Sequence, residues 1–333
     1  MWFQDLTGLT RDDPVAVRGA VSVEGDWLTS AANGRRMRAG RLTLPSLAEL
    51  RALPVETSGR GESQLREVVG DVRALHADPA HAGAVFQVAS QFNLLEMPGP
   101  DVGPEDGIAG YAYDRTQGPA CAMACGAGTL YRNYLMPMGK QQGQSALAQV
   151  DCLAGLGAAL GNDAGRLWRM KNGYALPTAT GLAKVCAKID ALGTAEREAL
   201  KGLLRIGVQA ETEVTLKGAG HLVTQAYCSA LPIAYSGLPA AAWQGFARLV
   251  LEASYEACFR VAAQNAPGKP LFLTFIGGGA FGNPRPWILD ALAKGFAATR
   301  GAGIDAVLVS YSRAGGAADW LRDINSGGNP SAE

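Results

Sequence analysis

Paired thiols and histidines are scarce in this chain. Its six cysteines and three histidines are spread over 333 residues, and no C-x-x-C spacing occurs. A structural zinc site needs clustered ligands, so no metal is expected. Cys121 and Cys125 stand four apart, which places them on one helix face and not in a knuckle. Reduced, buried thiols of a cytosolic protein are the expectation. An excess of one charge is missing too: 30 basic residues balance 30 acidic ones, whereas a nucleic-acid footprint would demand a basic surplus. No apolar run approaches the roughly 20 residues of a membrane helix. The opening "MWFQDLTGLTRDDP" lacks a basic start followed by an apolar stretch, so neither a signal peptide nor a membrane is expected, and the cytoplasm is the expected location.

What is present is ample apolar material. Hydrophobic residues make up 48% of the chain, enough for a real core. Residues 1–66 mix short apolar pieces with turns and read as an N-terminal extension. From Glu67 the texture changes: "EVVGDV" reads as a short strand and "GAVFQVASQFN" as a second, buried one. Residues 145–205 read as mostly helical, with "SALAQVDCLAGLGAALGN" stopping at Gly161-Asn162. Thr178 and Thr194 stand at the N-cap positions of two further helices there. Then come a strand in "VTQAYCSALPIAY", a long helix over 243–265, a strand in "FLTFIGG", a helix in "PWILDALAKGFAATR" and a last strand in "DAVLVSYS". Strands alternating with helices predict an α/β layer fold with a mainly parallel sheet.

"FLTFIGGGAFGNP", residues 272–284, stops an apolar run at three glycines. Serial glycine weakens a strand, so something must approach the backbone closely there. In open α/β sheets ligands sit beyond the carboxyl ends of strands, and unspent N–H groups before a helix make an anion cradle. The Lys-Ser/Thr that ends a P-loop is missing, and the segment lies too late in the chain for a first βαβ dinucleotide fingerprint. Taken alone, it is equally a tight packing turn.

The order of parts says more. Asp71 in "VVGDV", the strand end "QVASQFN", the small-residue loop "TQGPACAMACGAG", the loop "GGGAFGNP" and Tyr311 closing "VLVSYS" follow one another. This succession resembles the macrodomain superfamily of ADP-ribose-binding and ADP-ribosyl-hydrolysing proteins, over about residues 67–313. The chain departs from that pattern at "QVASQFN", where "VNAAN" is usual, and most in the first loop, where the family has a plain glycine run. The resemblance implies a three-layer α/β/α macrodomain-like fold with a central mixed sheet over 67–325, a helical insertion at about 145–215 and a tail at 326–333. It implies ADP-ribose and an ADP-ribosylated protein as partners, and no cofactor. Asp71 would accept from the adenine amino group, and Tyr311 would pack on the ring. Gly277, Gly278, Gly279, Ala280, Phe281 and Gly282 would hold the diphosphate, with Asn283 and Gly118 beside the ligand. Asn93 would face the distal ribose. Each has a plain alternative: Asp71 and Asn93 as turn residues, Phe281 as a core plug, Tyr311 as a strand aromatic.

Hydrolysis at the ribose needs carboxylates, and a guanidine leaving group is read by them as well. "PEDGIAGYAYDRTQGP" supplies Glu105, Asp106 and Asp114 as catalytic candidates, the first two equally readable as members of a solvated loop. Gln117 would orient a ribose hydroxyl or cap the helix that follows. "YDRTQGPA" resembles a subgroup of macrodomains acting on arginine-linked ADP-ribose, bacterial effectors among them. Glu252, Glu256, Arg248 and Arg260 space as an i,i+4 ion-pair ladder, which is structural. Cys228 has no histidine close enough to activate it as a nucleophile and reads as buried. Arg132 and Asn133 would reach a phosphate or pair locally. The function implied is removal of ADP-ribose from protein side chains, arginine foremost. The alternatives are a non-catalytic ADP-ribose reader and a poly(ADP-ribose) glycohydrolase, the latter disfavoured because the chain contains no Glu-Glu pair.

Overall fold

A computed structural model describes residues 1–56, 59–311 and 318–327. The expected tail therefore lies largely outside the described residues. Seven strands form the central sheet: Arg41–Thr43 (β1), Gln64–Val69 (β2), Val85–Ala89 (β3), Gly207–Glu213 (β4), Leu222–Cys228 (β5), Leu271–Leu273 (β6) and Asp305–Ser310 (β7). Their spatial order is β1-β4-β5-β3-β6-β7-β2. The five strands from β5 to β2 run parallel, and β4 joins them antiparallel, with β1 antiparallel to β4 at the edge. The sheet is mixed, as expected.

Helices cover both faces. On one side Val72–Ala77 (α1) packs against Gln117–Ala124 (α2). On the other, Gln244–Asn265 (α3) packs against Arg285–Ala297 (α4) and against the helix Ala179–Asp190. Helix α3 is buried nearly all round because its alanine, valine, leucine and phenylalanine face the sheet and the neighbouring helices together. Among the described residues no helix is long and apolar enough to cross a membrane.

Several boundaries differ from the sequence reading for local reasons. The helix ending at Gly161 starts only at Ala154, and Gly161 closes it in the left-handed conformation at φ 76°. Thr178 caps its helix through the Gly181 amide as anticipated, but Thr194 is the first helical residue and Gly193 takes the cap. Residues 145–205 also hold a hairpin, Trp168–Lys171 with Tyr174–Pro177, and residues 207–213 are a strand of the central sheet. The N-terminal segment contributes to that sheet too, through β1. Strand β6 is only three residues long. Beyond it the Gln87 side chain accepts from the Thr274 amide at 3.0 Å, and the Tyr255 hydroxyl donates to the Thr274 carbonyl at 2.6 Å, displacing the ladder.

Candidate functional site

The parallel strands end on one edge of the sheet, and the segments that follow them enclose a cleft in two compartments. The larger, about 830 Å³, is walled by Asp71, Arg73, Arg285, Ser310 and Tyr311 among others. The smaller, about 340 Å³, is walled by Ser90, Gln91, Glu96, Gly118, Tyr174, Cys228, Tyr235, Gly277 and Gly279–Phe281. Asp114, Arg115, Thr116, Gln117, Thr274, Phe275 and Tyr311 belong to both, so the compartments are continuous. Each volume lies in the range of small-molecule sites.

The glycine loop folds on itself with unspent amides. Gly278 donates to the Phe275 carbonyl, Gly282 to Gly279 and Asn283 to Gly277. Among the described residues the amides of Gly277, Gly279, Ala280 and Phe281 have no hydrogen-bond partner. Gly277 turns the chain at φ 74°, and a Cβ there would stand 2.4 Å from the Ala230 Cβ. The buried Asn283 side chain stitches the loop by donating to the Leu231 carbonyl at 2.9 Å. Arg285, at the start of α4, lies over the Phe275 ring at 4.8 Å.

Opposite, α2 begins with Gln117. Its side chain accepts from the Ala89 amide at 2.9 Å and donates to the Gln87 carbonyl at 2.7 Å, so it continues the edge of β3. That commits the amide to the backbone, a third role beside the two expected. Gly118 is forced by the same approach: a Cβ would fall 2.0 Å from the Ala89 carbonyl oxygen. Asp114 accepts from the Thr116 amide at 2.8 Å and from its hydroxyl at 2.7 Å, holding the turn into α2.

The candidates therefore divide. Asp71, Asp114, Gln117, Gly118, Gly277, Gly279, Ala280, Phe281 and Tyr311 are brought together on the cleft. Asp71 also caps α1, accepting from the Arg73 amide, so its turn role and a place at the cleft coexist. Gly278, Gly282 and Asn283 belong to the loop but are not among its wall residues. Asn93 is buried behind the cleft and bonds the Leu95 amide and Gln149. Asp106 accepts from the Gly103 amide and Glu105 from that of Ala146, and neither walls a compartment. The Asp106 contact closes a tight turn, and the exposed Glu105 is drawn toward a neighbouring loop. What fixes that acidic segment is Asp12, which accepts from the amides of Ile108 and Ala109 at 2.6 and 2.5 Å.

Four residues that the sequence reading did not place are at the cleft. Arg73, Arg115 and Arg285 bring positive charge to its walls. Glu96 is the fourth, but its side chain is fully buried behind the wall and paired with Arg132, whose Nη2 donates to Oε1 at 3.1 Å. Arg132 thus pairs locally, as does Asn133, which donates to the Pro104 carbonyl. Burial pushes the Glu96 carboxyl up to about 7, with Arg132 opposing. At the same end Tyr174, Tyr235 and Phe281 form an aromatic wall, with ring centroids 5.3 to 5.8 Å apart. Cys228 is buried against Cys258, Sγ to Sγ 3.3 Å, and that contact, with burial after it, raises its thiol well above the ordinary range. It has no thiolate character for catalysis.

No family model matches the chain, and no curated protein matches it. Among solved structures, poly(ADP-ribose) glycohydrolase from Thermomonospora curvata is similar at 12% identity and a TM-score of 0.44, covering 94% of this chain and 96% of that one. The enzyme of the same name from Deinococcus radiodurans, in complex with ADP-ribose, is similar at 11% identity and a TM-score of 0.42, covering 86% and 92%. These likenesses are loose, and the chemistry of the cleft rests on its own residues.

Proposed function

We propose that the cleft binds the ADP-ribosyl group of a modified protein and hydrolyses its link to the side chain, with arginine as the linked residue. The observation that carries this reading is the continuity of the two compartments, with unspent loop amides on one side and a carboxylate, Asp114, where they meet. Adenosine would occupy the larger compartment, between Asp71 and Tyr311. The diphosphate would lie on the amides of Gly279–Phe281, with Arg115 and Arg285 supplying charge. The distal ribose would enter the smaller compartment, where Asp114 activates water. A planar guanidinium leaving group suits the faces of Tyr235 and Phe281.

Calorimetry with ADP-ribose, ADP and AMP tests the binding half: micromolar ADP-ribose binding, much tighter than AMP, is expected. Release of ADP-ribose from an arginine-linked peptide tests the chemistry. An Asp114→Asn protein should bind ADP-ribose as wild type does and turn over about 100-fold more slowly or worse. Full activity in that variant removes Asp114 from the mechanism. Binding without turnover makes the protein a reader, and turnover only of poly(ADP-ribose) reassigns the linkage.

A further inference from the structure

We propose that the aromatic corner of the smaller compartment is a cation subsite that takes a planar guanidinium beside bound ADP-ribose, and that Tyr235 sets its preference. The subsite rests on the hydrolase reading, which supplies the place of ADP-ribose, and adds a second ligand to it.

Three rings make the corner: Tyr174, Tyr235 and Phe281 all wall this compartment. The Tyr235 and Phe281 planes stand at 79° with centroids 5.8 Å apart, and Tyr174 closes the angle between them at 5.3 and 5.4 Å. Their exposure is unequal. Tyr174 is 1% exposed and its hydroxyl donates to the Met97 carbonyl, whereas Tyr235 keeps 38% of its surface open. Tyr174 is thus the back of the corner and Tyr235 its outer side. Burial, and after it Tyr235 and Asp114, raise the Tyr174 hydroxyl above its ordinary value, so the back of the corner carries no phenolate near neutral pH.

The support behind Tyr235 is firm. It ends the turn Ile233–Tyr235, whose Ala234 amide donates to the Phe281 carbonyl at 3.0 Å. The two ring-bearing segments are therefore fastened to each other. Gly282 lets them close, since a Cβ there would already stand 3.1 Å from the Ala234 Cβ. Ser236 pins the turn further: its hydroxyl donates to the Ile233 carbonyl at 2.8 Å and accepts from the Leu238 amide at 3.0 Å and the Trp243 indole at 3.3 Å. A face held this way loses little freedom when a ligand settles on it.

Charge decides what settles there. Asp114 walls the same compartment, and both of its bonds to Thr116 go to Oδ1. Its Oδ2 is left without a partner among the described residues. Arg115 is the one cation on these walls among the described residues, and the diphosphate takes it in the hydrolase reading. Ring faces carry negative potential, so together with a carboxylate they favour a cation over a neutral hydroxyl. A guanidinium is flat and weakly hydrated and stacks on such faces, where a compact ammonium holds its water. A guanidine should therefore bind with ADP-ribose already in place, as the two products of cleavage would.

Ligand-observed NMR on the full chain tests this, with methylguanidine titrated into protein saturated with ADP-ribose and methylammonium as the control. Methylguanidine should bind at least about tenfold more tightly than methylammonium. Tyr235→Leu should weaken methylguanidine about tenfold, lose that preference, and leave the ADP-ribose Kd within about threefold by calorimetry. Tyr235→Phe keeps the ring face and should bind both cations as wild type does. Equal binding of the two cations by the wild-type complex, or none, overturns the subsite and leaves the ADP-ribose reading standing. Methylguanidine that binds the free protein and is expelled by ADP-ribose puts the nucleotide itself in the corner and overturns it as well. An unchanged Tyr235→Leu removes the role of Tyr235. If that variant does not fold, the wild-type comparison of the two cations decides. A wild type that binds no ADP-ribose loses the hydrolase reading, and the subsite falls with it.

Discussion

Gly277 and Gly279 stand two residues apart and have different reasons to be glycine. Gly277 sits at φ 74°, and its Cβ would strike both the Ala230 Cβ at 2.4 Å and the Asn283 side-chain Nδ2 at 2.6 Å. Gly279 has no positive φ, and a Cβ on it meets nothing within 4 Å. The fold requires the first, while a ligand against the loop amides would require the second. Gly279→Ala should change stability by less than about 0.5 kcal/mol yet weaken ADP-ribose about tenfold, some 1.4 kcal/mol. Gly277→Ala should cost about 2 kcal/mol in stability before binding is considered. Denaturant melts and calorimetry on the two proteins separate these roles, and unchanged affinity in Gly279→Ala would place the diphosphate elsewhere. The run of glycines was legible in the sequence, but its division was not, because the clash at Gly277 depends on the folded loop that returns Asn283 and on Ala230, 47 positions away. Glu96 was hidden differently. Its signal is a lone acid among Leu94, Leu95, Met97 and Pro98, and its partner Arg132 lies on another element with no local cue.

At the scale of elements, the hairpin Trp168–Pro177 has a task that the helical reading of its region could not reveal. Its turn residue Gly173 accepts from the Phe92 amide at 3.0 Å, and Asn172 donates to the Pro100 carbonyl at 2.9 Å. The Tyr174 hydroxyl donates to the Met97 carbonyl at 2.8 Å and accepts from Gln91 at 3.4 Å. The hairpin therefore braces the loop that carries Glu96. Tyr174→Phe leaves the Met97 carbonyl only the Gln91 side-chain amide at 3.2 Å and should cost about 1 kcal/mol in a urea titration. An unchanged midpoint would mean that the loop holds itself. The ladder on α3 shows how far spacing reaches. Arg260 pairs with Glu256 at 2.9 Å as its i,i+4 position predicts. Arg248 instead takes Asp290 of α4 at 2.5 Å, leaving Glu252 to Arg197, Lys201 and Lys294. Sequence spacing sees one helix, and the packed neighbour that competes for the charge is invisible to it. The strand–helix alternation was legible for the related reason that hydrophobic period is a local property.

For the molecule as a whole, two buried groups titrate against each other. Burial lowers the His76 ring from 6.5 to about 4, so the unfolded chain binds its proton first and stability rises with pH between those values. Burial raises Glu96 from 4.5 to about 7, so the folded chain holds that proton and stability falls as pH rises across that window. Each slope is about 1.4 kcal/mol per pH unit, and the two oppose over the shared interval from about pH 4.5 to 6.5. Wild-type stability should therefore be nearly level there. Below it, stability should drop. Burial would raise Glu252 and Glu256, but Arg197 and Lys294 around the one and Arg51 and Arg260 around the other outweigh it and hold both below the ordinary carboxylate value. Their contribution is present above the unfolded value and is lost as pH falls through the folded one. Glu96→Gln removes one of the opposing terms and should expose the other. Its stability, whatever its absolute level, should climb by about 3 kcal/mol from pH 4.5 to 6.5 where the wild type stays flat. Urea denaturation of both proteins at four pH values across that interval measures the difference. Parallel curves would mean that the Glu96 carboxyl is ionised throughout, held so by its buried partner Arg132.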